Sequence, residues 1–173
     1  MKKSVLALLL FALIAVFAVQ FPAGVSAGPA EDVKAAMEVL KSKAAAMGAP
    51  SIKGEDVVAG KKVPAIYFGK TEMNNNFDLV DEVQKEKGGT ATIFVKNGDD
   101  FVRVATNVKK DDGARAIGTV LDPKGKAIAA ISKGESFYGE VPILGKPYIT
   151  GYEPIRDADS HVIGVYYVGY LKK

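Results

Sequence analysis

Arg103 and Arg115 are the side chains of this sequence best suited to chemistry, and that chemistry is recognition. A guanidinium is planar, permanently charged and forked, so it meets a carboxylate with two parallel hydrogen bonds. Arg115 is the first choice for such a contact and Arg103 the second. The competing role for either is a surface ion pair with Asp99, Asp100, Asp111 or Asp112. Tyr138, Tyr148 and Tyr152, with Thr150 among them, offer apolar bodies and hydroxyl tips of the kind that line an orienting pocket. Ordinary packing on a sheet is the alternative for each tyrosine. Lys146 adds a second cation at a turn, where plain surface is the alternative, whereas Phe94 and Tyr166 read as core.

The equipment of an enzyme is missing. His161 is the only histidine, it falls in a turn, and it has no nucleophile to serve. The absence of cysteine excludes disulfides, thiolate metal sites and covalently attached haem. Asp99-Asp100, Asp111-Asp112 and Asp157 with Asp159 could hold a hard cation, but their spacing is not that of a calcium loop and turn chemistry accounts for them. Gly125-Lys126 lacks the upstream glycine and the following Ser or Thr of a phosphate loop. No catalytic residue, metal or cofactor is therefore expected.

These candidates sit on strands, and the rest of the chain must position them. Phe101–Asn107 carries Arg103 and pairs with Thr90–Lys96 across Asn97-Gly98-Asp99-Asp100, a hairpin signal. Ser136–Val141, Tyr148–Ile155 and Val162–Leu171 form three late strands, the first two turning at Gly145-Lys146-Pro147. Alternation puts Tyr148, Thr150 and Tyr152 on one face of their strand. It puts Tyr138 opposite Phe137 and Val141 on the first of the three. The last strand is apolar on both faces, which predicts a central strand covered twice.

Upstream, Val33, Met37, Leu40, Ala44 and Met47 make one stripe on a helix over Pro29–Met47, ended by Gly48 and Pro50. Ser51–Lys62 reads as loop, and Val63–Phe68 as a strand that Pro64 places at an edge or a strand start. A short helix follows Phe77 and stops at Gly88-Gly89. Ala116–Leu121 reads either as a strand or as the lead into a helix over Pro123–Lys133, with Asp122 as N-cap and Pro123 at its first position. This order of elements is α+β.

Lys2 and Lys3, the apolar run Val5–Phe21 and the small residues Val25-Ser26-Ala27 form an export signal, with cleavage expected after Ala27. Retention as an anchor is the alternative. The leader holds two of the 23 basic residues and none of the 20 acidic ones, so the remainder carries only +1. No basic run is dense enough for nucleic acid.

Gly88–Phe94, Arg103–Asn107 and Arg115–Thr119 stand in that order, followed by Tyr138-Gly139, Leu144–Ile155 and Ile163–Gly169. Together, over Lys62–Leu171, they resemble extracytoplasmic Cache sensor domains, most nearly the single-Cache kind of bacterial chemoreceptors and sensor kinases. The resemblance implies a PAS-like fold, with a long N-terminal helix on an antiparallel sheet of about five strands, short covering helices and a pocket on the other side. It also implies a small organic ligand, carboxylate or amino-acid-like. Residues 1–27 are then a signal peptide, 28–60 the helix and connecting loop, and 61–173 a single sensor domain. Family members usually continue into a second membrane helix and an output module, whereas this sequence ends at Lys173. A membrane receptor or sensor kinase is therefore expected as partner, in signal transduction or chemotaxis from the periplasm or outside the cell. The alternative is a scaffold that forms a homodimer through the N-terminal helix, its pocket vestigial.

Overall fold

A computed structural model describes residues 28–173 of the chain, so the predicted leader lies outside the described residues. Helix α1 spans Pro29–Met47, with Pro29 in its first turn beside Glu31 and Asp32. A fixed φ and two carboxylates suit the positive helix end. Val33, Met37, Leu40 and Ala44 are buried as their spacing predicts, and Met47 is half-buried. The helix ends where Met47 meets Gly69: a Cβ at Gly69, whose φ is +60°, would run into the Met47 carbonyl.

Next come β1 (Pro50–Val58), β2 (Lys61–Phe68) and β3 (Thr71–Glu72), a three-stranded antiparallel sheet in that order. The loop expected over Ser51–Lys62 is thus a strand and its hairpin turn. Its polar composition reflects an outer strand, bulged between Ile52 and Glu55 and largely exposed. Pro64 lies within the middle strand, not at its start. It is tolerated because β3 pairs only with Tyr67 and Phe68. Beside Pro64 the place of a neighbouring strand is taken by Asn74, whose Nδ2 donates to the Pro64 carbonyl and whose Oδ1 accepts from the Ile66 amide, both at 3.1 Å. The missing N–H of Pro64 falls on that side, where no strand requires it.

Helix α2 (Asp78–Lys87) leads to β4 (Thr90–Asn97) and β5 (Asp100–Thr106), joined by the predicted hairpin with Gly98 at φ +63°. Helix α3 covers only Lys126–Ile131. The longer helix expected from Pro123 does not form, because Asp122 caps a turn instead. Its carbonyl accepts from the Gly125 amide at 3.0 Å and its Oδ1 from the Lys124 amide at 3.0 Å. The late strands are β6 (Phe137–Ile143), β7 (Lys146–Arg156) and β8 (Val162–Leu171). Lys146 and Pro147 belong to β7, and the β6–β7 turn is Leu144-Gly145.

The five long strands form one antiparallel sheet, β5-β4-β8-β7-β6, with β8 in the middle as its two apolar faces require. On one face α1 and α2 close a core through Val33, Leu40, Val83, Ile93 and Val168. On the other, α3 and the segment after β5 cover Phe94, Tyr152 and Tyr167. Ala116–Leu121 is neither helix nor full strand. It closes the outer edge of β5 through main-chain bonds from Arg103 to the Thr119 carbonyl (2.9 Å), from Gly118 to Arg103 (2.8 Å) and from Leu121 to Phe101 (2.9 Å). No described helix is long and apolar enough to cross a membrane.

Gly164 sits opposite Val95 in the β4–β8 ladder, and a Cβ there would meet the Phe94 carbonyl and the side chains of Ile66 and Ile155. Gly164→Ala is expected to lower stability by about 1–3 kcal/mol through overpacking, read as a shift of the urea midpoint. An unchanged midpoint would mean that β4, Ile66 and Ile155 do not close upon β8 at Gly164.

Candidate ligand-binding site

Register decides which side chains share a surface. Phe137 pairs with Tyr152, Tyr152 with Tyr167, Tyr167 with Thr92, and Thr92 with Thr106, so these five lie on the face away from α1. Phe94 follows Thr92 on that face. Strict alternation along β5 would aim Arg103 at the helices. The ladder slips instead between Ile93 and Phe94, pairing Ile93 with Ala105 and Phe94 with Arg103. The extra residue, Val104, turns into the helix-side core, and Arg103 turns onto the face of Tyr152.

There a cavity of 360 Å³ opens, lined by Arg103 and Tyr152 and walled by Leu121, Ala127, Val141 and Ile143. Its volume and mostly apolar walls are those of a small-molecule pocket. Arg103 is only 4 % exposed. Its guanidinium lies over the Phe94 ring at 4.9 Å. Nη1 donates to Thr119 Oγ1 at 2.6 Å, and that hydroxyl in turn donates to the Ala116 carbonyl at 2.7 Å. Nε is buried without a partner, and among the described residues no carboxylate pairs with Arg103. Burial pulls the arginine pKa down from its ordinary value, while Tyr167 and Tyr152 act the other way. Tyr152 is 1 % exposed and tilts against Tyr167, ring centroids 5.0 Å apart. Burial pushes its phenol pKa well up, so the ring stays neutral.

Of the seven residues singled out in the sequence, the structure brings Arg103 and Tyr152 together at this cavity. Arg115, the first choice, is elsewhere. It forks onto Asp81 of α2, Nη1 to Oδ1 and Nη2 to Oδ2 both at 2.7 Å, donates again to the Thr106 carbonyl at 2.8 Å, and lies 4.4 Å over Phe77. It does bind a carboxylate, but the protein's own, and it ties α2 to the segment after β5. Tyr138 is on the opposite face of the sheet. Its hydroxyl donates to Glu153 Oε1 at 2.5 Å, and Glu153 pairs with Lys41 of α1 at 2.9 Å. Lys146 is exposed and pairs with Asp111 at 3.2 Å. Thr150 is buried and donates to the Gly139 carbonyl at 2.7 Å. Tyr148 shares the Tyr152 face but is half-buried at the edge of the core, outside the cavity lining.

Sequence reasoning missed Thr119, Asp122 and the apolar walls. Val141 and Ile143 were legible by alternation with Phe137. Thr119 carried no signal, because its role depends on where its segment crosses β5. Ligand atoms of Asp157, Asp159 and His161 lie within 4.8 Å of one another. That cluster is a tight turn in which Asp157 Oδ1 accepts from the amides of Asp159 (3.0 Å) and His161 (2.9 Å).

A family model described as Cache 3/Cache 2 fusion domain matches residues 28–173, every described residue. The match takes in α1 and β1 as well as the span Lys62–Leu171. No curated protein matches the chain.

Two expectations separate the arginines. Arg103→Met removes a buried charge without a carboxylate, so the ligand-free protein should gain about 1–3 kcal/mol, measured by urea unfolding. A clear loss would mean that the charge is structurally compensated. Arg115→Met should instead destabilise by about 1 kcal/mol, since its pair with Asp81 is partly exposed, and leave any ligand affinity of the cavity unchanged.

Proposed function

This chain belongs to the Cache 3/Cache 2 fusion domain family, and on that premise we propose that it is an exported sensor that captures a small organic anion on Arg103 and reports occupancy to a partner protein. Cache domains are sensory, non-catalytic modules and typically extracytoplasmic. Lys2, Lys3, the apolar run to Phe21 and the small residues before Gly28 support export through a signal peptide cut after Ala27. The single observation that carries the ligand reading is that Arg103 lines the cavity with no carboxylate partner and with its buried Nε unpaired. A buried donor without an acceptor costs about 1–3 kcal/mol, a cost that an anion drawn to this guanidinium would relieve on reaching it. The carboxylate class named from the resemblance fits this donor.

Ligand binding is preferred over a scaffold role. The outer side of α1 carries Lys34, Glu38 and Ala45, and no large hydrophobic side chain is exposed on that helix. A receptor or sensor kinase in the membrane is the partner this reading calls for.

A thermal-shift screen with small carboxylates tests it. Ligand at a hundred times its dissociation constant should add about 2.7 kcal/mol to stability. Loss of one charge-assisted pair should weaken binding to Arg103→Met on the order of 10–100-fold. Equal shifts in the parent and the variant would overturn the assignment of Arg103.

A further inference from the structure

We propose that the cavity takes a monocarboxylate carrying a ring-sized apolar body, an aryl or arylalkyl acid, with its carboxylate on the free edge of Arg103. This rests on the ligand reading above and narrows it. Thr119 takes Nη1, and Nε has no partner. The Nε and Nη2 hydrogens of a guanidinium point the same way in one plane, which is a bidentate seat for one carboxylate. Stacking on Phe94 and the bond to Thr119 hold that plane in place.

Chemistry beyond the carboxylate is set by depth. Leu121, Ala127 and Ile143 are buried, and with the Tyr152 ring they give the ligand body apolar neighbours. The other charged residues of the lining, Asp122, Lys124, Lys126 and Glu140, are all exposed. A second carboxylate on the ligand would reach a mouth of two carboxylates and two lysines, all exposed, where opposite charges offset one another and water screens each, so it gains little there. Glu140 is in addition paired with Lys172, at 2.7 Å. An α-ammonium lies beside its own carboxylate, hence next to Arg103, and no buried carboxylate lines the cavity there among the described residues. Size completes the selection. At roughly 30 Å³ for each water-sized group, 360 Å³ holds about twelve non-hydrogen atoms. Phenylacetate comes close to that, and acetate fills about a third of it.

The test is calorimetric titration of the purified protein with phenylacetate, benzoate, acetate, succinate and phenylalanine. Burial is worth about fourfold in affinity per methylene-sized group, so phenylacetate or benzoate should bind at least about tenfold more tightly than acetate or succinate, and phenylalanine should bind more weakly than phenylacetate because its ammonium is desolvated with no carboxylate to meet it. That binding should be lost in Arg103→Met and in Val141→Trp, which fills the cavity from the half-buried edge of β6. Tightest binding of acetate, succinate or phenylalanine, abolished by Arg103→Met, would overturn the ligand class and leave the Arg103 site standing. Aryl-acid binding undiminished in both variants, or no binding of any of the five, would overturn the inference together with the ligand reading beneath it.

Discussion

A guanidinium stripped of water and given no carboxylate is the condition around which one half of this molecule is organised. Taking such an ion out of water costs on the order of several kcal/mol even after relaxation. Arg103 is held there by several features at once. The Phe94 ring lies under it, Thr119 takes one amino group, and the main chain of Gly118 and Thr119 brackets it on the edge of β5. A single extra residue in β5 aims it. That residue is needed, because a sheet with regular alternation would turn the same side chain into the helix-side core.

The other half supplies the stability that such a charge draws on. β8 is flanked on both sides and covered on both faces, and its glycine at 164 lets β4 and the side chains of Ile66 and Ile155 close upon it. The helix-side core is continuous and mostly aliphatic, from Val33 through Ile93 to Val168, with Phe68 buried among them. The opposite core mixes aromatic rings with aliphatic side chains and stops short of the space beside Arg103. One sheet thus separates a filled core from one left partly open, the division of labour expected when a rigid scaffold positions a pocket.

How much of this was legible in the sequence depends on the range of the interaction. The stripe of α1, the β4–β5 hairpin and the central place of β8 follow from patterns within a few residues, and they appear as read. The strand β1 was missed because an edge strand with one bulge has the composition of a loop. The short α3 was over-read because Asp122 and Pro123 serve a turn as readily as a helix start. Site residues depended on register, which is long-range. Tyr138 and Tyr152 looked equivalent until the pairing of Phe137 with Tyr152 set them on opposite faces. Arg115 read either as a ligand contact or as a pair with a nearby aspartate, because its actual partner, Asp81, lies 34 positions upstream on another element. Nothing short-range distinguishes an arginine that binds the protein's own carboxylate from one that waits for another molecule's.

Tyr152 and Glu153 are consecutive residues on β7. The first lines the cavity, and the second holds Lys41 of α1 at 2.9 Å. The wall between the two sides of the sheet is therefore one backbone thick at this point. Neighbours in sequence thus serve opposite sides of the sheet: the Tyr152 ring faces open space, while the Glu153 carboxylate anchors the C-terminal half of a 19-residue helix through Lys41.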